Sequence, residues 1–110
     1  MRSMDALPAE ITEKLDAVRA LCEKYSVKRL TLFGSAVKGT FDPERSDVDF
    51  AVELFPVVDP VTEGRRYLEF WKSLEQLFER RVDLVELAAI ENPYIASSIR
   101  HALYEVYEAA

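Results

Sequence analysis

The stretch that decides the fold is GSAVKGTFDPERSDVDF, residues 34–50. It begins where an alternating segment, KRLTLF at 28–33, runs out, with Leu30 and Leu32 set against Arg29 and Thr31. It ends inside a second alternating segment, DVDFAVEL at 47–54. There Val48, Phe50, Val52 and Leu54 share one face, and Asp47, Asp49, Ala51 and Glu53 share the other. The residues between the two strands are rich in Gly, Ser, Asp and Pro, so they form a loop with room for one helical turn.

Helical patterns flank this strand–loop–strand unit. Upstream, Pro8 stands at a helix start, and Ile11, Leu15, Val18, Leu21, Cys22 and Tyr25 follow helical spacing. Downstream, Asp59-Pro60 reads as an N-cap followed by proline at the first helical position. Tyr67, Phe70, Trp71, Leu74, Leu77 and Phe78 then share a face. RVDLVEL, 81–87, is a third strand, and Asn92-Pro93 opens a closing helix carrying Ile95, Ile99, Leu103 and Val106. The order α-β-loop-β-α-β-α predicts an α/β (α+β) domain, a small mixed sheet with helices packed on it. At 110 residues the chain is expected to be one domain, 1–110.

Three carboxylates carry the chemistry. Asp47 and Asp49 are two residues apart on a strand and project from one face. Asp83 lies on another strand expected in the same sheet, where facing side chains have Cβ atoms roughly 5 Å apart. Carboxylates so placed repel one another and raise each other's pKa unless a cation sits among them. Hard oxygen ligands suit Mg²⁺, and two such ions can flank a phosphate through an in-line displacement. Upstream, Gly34 lets the chain turn tightly beside a ligand, exposed N–H groups there bind phosphate oxygens, and the Ser35 hydroxyl donates one more hydrogen bond. A phosphate cradle one loop before a carboxylate pair predicts phosphoryl or nucleotidyl transfer.

Composition narrows the setting. The hydrophobic fraction of 49% and aromatic fraction of 11% exclude a disordered tail. The net charge of −6 disfavours nucleic acid as principal ligand. The single cysteine, Cys22, falls at an apolar helix position and reads as a buried structural thiol. No apolar run reaches the ~20 residues of a membrane span. The opening residues MRSMDALPAE carry an acid and a proline where a signal peptide needs an apolar core, so a cytoplasmic location is expected.

The spacing Gly34-Ser35, eleven residues, Asp47-Val48-Asp49 resembles the signature of the polymerase-beta-like nucleotidyltransferase superfamily. The fuller run, with a second glycine at 39 and Ser46-Asp-x-Asp, is similar to its minimal nucleotidyltransferase (MNT) branch. The likeness extends over essentially the whole chain. It departs at Val37-Lys38, where many members have Ala-Arg, so Lys38 is given no role. The resemblance implies that Asp47 and Asp49 hold two Mg²⁺ ions and that Asp83 completes the site nearer the acceptor. It implies that Gly34, Ser35 and Ser46 bind the nucleotide. It further implies an antitoxin that moves AMP from ATP to a tyrosine hydroxyl of a HEPN-domain RNase toxin, with the two proteins forming a hetero-oligomer. Two alternatives stay open: a non-catalytic antitoxin that masks its partner, and transfer to a small molecule or an RNA end.

Other residues have blander readings. Glu53 and Glu86 are rival carboxylates, but Glu86 alternates away from Asp83 and Glu53 lies further along its strand. His101 reads as a surface or partly packed residue on the closing helix. Trp71, Phe70 and Phe78 read as core rather than as a base-stacking platform. Tyr94, Tyr104 and Tyr107 fit helix packing or a partner-facing patch. Arg80-Arg81 read as solvated charges, and Arg65-Arg66 either as the same or as contacts to nucleotide phosphates.

Overall fold

A computed structural model describes residues 7–39, 41–42, 44–57, 59–90 and 103–109. Its elements are α1 (Ala9–Thr12), α2 (Leu15–Lys24), β1 (Val27–Phe33), α3 (Ser35–Lys38), β2 (Val48–Leu54), α4 (Pro60–Phe78), β3 (Val82–Glu86), α5 (Leu87–Ile90) and β4 (Tyr104–Glu108). The four strands form one mixed sheet in the order β3-β2-β1-β4. β1 is antiparallel to both β2 and β4, and β3 runs parallel to β2. The expected small mixed sheet with packed helices is present.

One face of the sheet carries the main core. Leu30 and Leu32 of β1 lie opposite Val52 and Phe50 of β2, and all four are buried. Ile11, Leu15, Val18 and Cys22 cover them from α1 and α2, and Phe70, Leu74 and Phe78 cover them from α4. Burial pushes the Cys22 thiol up to about 12, so it is an inert packing group. On the second face Ala51 and Leu87 are buried against Phe33 and Val85, where α5 folds back over the strands.

The first helical stretch divides in two. Pro8 occupies the cap position of α1, and the chain re-enters helix after Lys14. There the Lys14 ammonium donates to the Leu77 carbonyl at 2.7 Å and lies 5.6 Å from the Phe78 ring centroid. A cation on the last carbonyls of α4 is favourable for that helix. Asp59 caps the other end of α4 as expected, accepting from the Val61 N–H at 3.2 Å.

The end of the chain departs from the sequence reading. Val106 is on a strand, not a helix, and is buried against the core. Residues 104–108, YEVYE, consist of aromatic, β-branched and acidic side chains, a composition at home on a sheet edge. The i, i+3 spacing of Leu103 and Val106 and the adjacent Val106 and Tyr107 hid the strand. Tyr104 and Tyr107 pack on the core from β4. The proposed helix start at Asn92-Pro93, together with Tyr94, Ile95, Ile99 and His101, lies outside the described residues.

Both sheet edges are tied down by helix side chains. On β3, Trp71 Nε1 donates to the Val82 carbonyl and the Tyr67 hydroxyl to the Leu84 carbonyl, each at 2.7 Å. Glu75 Oε2 accepts the Val82 N–H at 3.1 Å. On β4, Arg19 Nε donates to the Val106 carbonyl at 3.2 Å. Occupied edge groups discourage strand addition by another chain and fix β3, which carries Asp83.

Candidate active site

Gly34 ends β1 and begins the site. Its φ of 78° and ψ of −150° belong to a region open essentially to glycine. A Cβ placed there would overlap the Asp49 carboxylate. The register explains the approach: Phe33, the residue before Gly34, lies opposite Asp49 in the β1–β2 pair. α3 starts at Ser35 and is held by buried Ala36 and Val37 until Gly39, in the left-handed conformation, stops it. Ser35 therefore sits half-buried at the turn beside Asp49's neighbour Gly34.

The returning loop is closed by two short polar residues. The Ser46 hydroxyl oxygen accepts the Asp42 N–H at 2.8 Å, and the Asp42 carbonyl accepts the Ser46 N–H at 2.8 Å. Asp42 Oδ1 also accepts the Glu44 N–H at 2.9 Å. Ser46 thus shapes the entry to β2, and its hydroxyl proton is left free for another acceptor. Arg80, expected to be a solvated charge, is instead held in the fold. Its guanidinium lies 4.9 Å from the Phe41 ring centroid and donates to the Ser46 carbonyl at 3.3 Å. No sequence motif links residues 41, 46 and 80; only the fold brings them together.

Asp49 and Asp83 are register partners across the parallel β2–β3 pair. Asp49 is half-buried and Asp83 exposed. The Asp49 carboxyl is pushed up to about 6, first by burial, then by a hydrogen bond shared with Asp83 and by the charges of Asp83 and Asp47. Asp47, just before β2, lies 3.9 Å from the Arg81 guanidinium. Among the described residues no three of His, Cys, Asp and Glu are gathered as a metal-ligand cluster. The donors nevertheless fit a hard divalent cation: they are all carboxylate oxygens, and a carboxyl whose ionisation is opposed by burial and by neighbouring carboxylates is the group a cation would relieve.

The remaining candidates lie elsewhere. Arg66 donates to the Phe55 carbonyl, six residues past Asp49 and therefore about 20 Å along the strand direction. Glu53 pairs with Lys28 at 3.7 Å, and Glu86 stands opposite Val52 rather than opposite a carboxylate. Trp71 belongs to the core and the β3 edge. Lys38 ends α3.

A family model described as a nucleotidyltransferase domain matches residues 16–103. A Methanocaldococcus jannaschii protein provisionally named as a protein adenylyltransferase is 38% identical over 88 residues, covering 80% of this chain and 85% of its own length. Among solved structures, a minimal nucleotidyltransferase superposes with a TM-score of 0.62 at 24% identity, covering 86% of this chain and 90% of that one. A chain from the tri-AMPylated Shewanella oneidensis HEPN toxin in complex with MNT antitoxin superposes with a TM-score of 0.58 at 17% identity. The match covers 89% of this chain and 72% of that one.

Proposed function

The chain belongs to the nucleotidyltransferase domain family, and on that premise we propose that it transfers AMP from ATP to a hydroxyl of a HEPN-type toxin. The acceptor in this reading is a tyrosine, and the transfer silences the toxin. The observation that carries it is the contact of Gly34 with Asp49, whose register partner is Asp83. A phosphate-accommodating turn and a carboxylate pair meet at one point of the sheet.

The residues divide the work. The open backbone at Gly34 and the Ser35 hydroxyl hold the β- and γ-phosphates. Ser46, whose hydroxyl oxygen accepts the Asp42 N–H, offers its hydroxyl proton to the same nucleotide. Asp47, Asp49 and Asp83 are the residues that would hold two Mg²⁺ ions. Bound there, the ions supply charge neutralisation for the phosphates and lower the pKa of the acceptor hydroxyl. In this reading Asp83, which is exposed, receives the proton that the hydroxyl loses. The new bond joins the acceptor oxygen to the α-phosphorus, and the bond from that phosphorus to the bridging oxygen breaks, releasing pyrophosphate. The whole chain, 1–110, acts as one domain in the cytoplasm, and the acceptor comes from a second protein. Among the described residues no helix is long and apolar enough to cross a membrane.

The relative named as a protein adenylyltransferase and the AMPylated HEPN complex support this reading over transfer to a small molecule or RNA end. The test is intact-mass analysis of a co-encoded HEPN protein after incubation with this chain, ATP and Mg²⁺. Adducts of one AMP mass each are expected. Neutralisation of the toxin with no adduct would leave steric masking as the mechanism.

A further inference from the structure

A cavity of about 660 Å³ opens between the first turns of α4 and the carboxyl ends of β2 and β3. It is separate from the carboxylate pair. The Val52–Glu86 register pair at the cavity lies three residues beyond Asp49–Asp83, which is about 10 Å along the strands. An odd number of residues also places it on the opposite face of the sheet.

Gly64 lines this cavity from the interior of α4. Glycine weakens a helix, because it has the most backbone freedom to lose. Nothing among the described residues calls for it here. Its backbone does not have a positive φ, and a Cβ added at 64 meets nothing within 4 Å among the described residues. The missing side chain leaves this part of the groove open.

The groove's chemistry indicates what its occupant is. Leu68, one turn along the same helix face, lines the groove and is 48% exposed. Glu63 and Glu86 flank it, and neither has an ion-pair partner among the described residues. Among the described residues no lysine or arginine lines it. An apolar strip between unpaired carboxylates complements a segment with an apolar anchor and flanking positive charge.

We propose that this groove docks a cationic, apolar-anchored segment of the protein that accepts the AMP, with the anchor lying over Gly64 against Leu68. The proposal rests on the adenylyltransferase reading. It adds a second point of attachment, remote from the reacting groups. A docked partner would then be held without obstructing the nucleotide site.

The test measures affinity for the co-encoded HEPN protein without ATP, and then the kinetics of AMP transfer. Gly64→Leu should weaken binding at least about tenfold and raise the acceptor KM to match, with kcat unchanged. Gly64→Ala should raise the melting temperature of the free protein, as expected for a helix interior. The paired reversal E63K/E86K should weaken binding as much as Gly64→Leu, with a salt dependence smaller than the wild type's. Wild-type affinity in both Gly64→Leu and E63K/E86K would overturn the groove while leaving AMP transfer intact. A wild type that binds but transfers no AMP would overturn the catalytic reading, and loss of binding in the two variants would still support the groove. A homodimer that Gly64→Leu dissociates would assign the groove to a second copy of this chain and overturn the proposal.

Discussion

Gly34 lies so close to the Asp49 carboxylate that even a methyl group at residue 34 would overlap it. The strand register creates this proximity, and the positive φ of Gly34 turns α3 away in the space that remains. Gly34→Ala should therefore cost about 1–3 kcal/mol of stability from backbone strain alone. It should also displace Asp49 and abolish transfer. Urea unfolding and a single-turnover assay measure the two effects separately.

Asp49 should make the metal-free protein less stable at neutral pH. Its folded pKa is raised to about 6 from 3.8. The folded state therefore holds a proton that the unfolded state has released between those values. Stability from this group is fully present below the unfolded value and is lost as pH rises through about 6. Partial exposure reduces the effect to about 1–2 kcal/mol. Asp49→Asn should melt with the wild type near pH 4 and above it at pH 7.5, while activity falls about a hundredfold or more. Added Mg²⁺ should stabilise the wild type at pH 7.5 and not the variant. Melting curves across the pH range check each sign.

Trp71 and Tyr67 hold the outer edge of β3 through the Val82 and Leu84 carbonyls. Trp71→Phe and Tyr67→Phe each remove a donor and leave a part-buried carbonyl unpaired. Each should cost about 1–2 kcal/mol in urea unfolding. Transfer should slow in both variants because β3 carries Asp83.

Arg80 braces the loop through the Ser46 carbonyl and the Phe41 ring. Arg80→Ala removes one part-buried hydrogen bond and a cation–π contact, a stability change of about 1–2 kcal/mol. The loop leads directly into Asp47, so the variant should raise the KM for ATP more than it lowers stability. Lysine at this position should restore the charge but not the planar stack, giving partial rescue.

The meeting of Gly34 with Asp49 was legible only in part. Strict alternation puts Leu30, Leu32, Phe50 and Val52 on the core face, and the register the fold adopts then brings Gly34 to Asp49. Asp83 followed from the third strand, whose parallel register sets it opposite Asp49. The end of the chain was harder to read. Val106 satisfies a helical spacing with Leu103, yet the unpaired side of β1 requires a strand, and Arg29 draws both Glu105 and Glu108 onto that edge. Arg80 was illegible because its partners at 41 and 46 are remote in sequence and carry no motif. The break before Leu15 was equally hidden, since Lys14 acts on a carbonyl 63 residues away.

The most direct measurement is the intact mass of a co-encoded HEPN protein after reaction with ATP and Mg²⁺, for the wild type and for Asp47→Ala/Asp49→Ala. The account predicts AMP adducts and loss of toxin activity with the wild type, and neither with an equally abundant, folded double variant. A double variant that still neutralises the toxin without an adduct would contradict it.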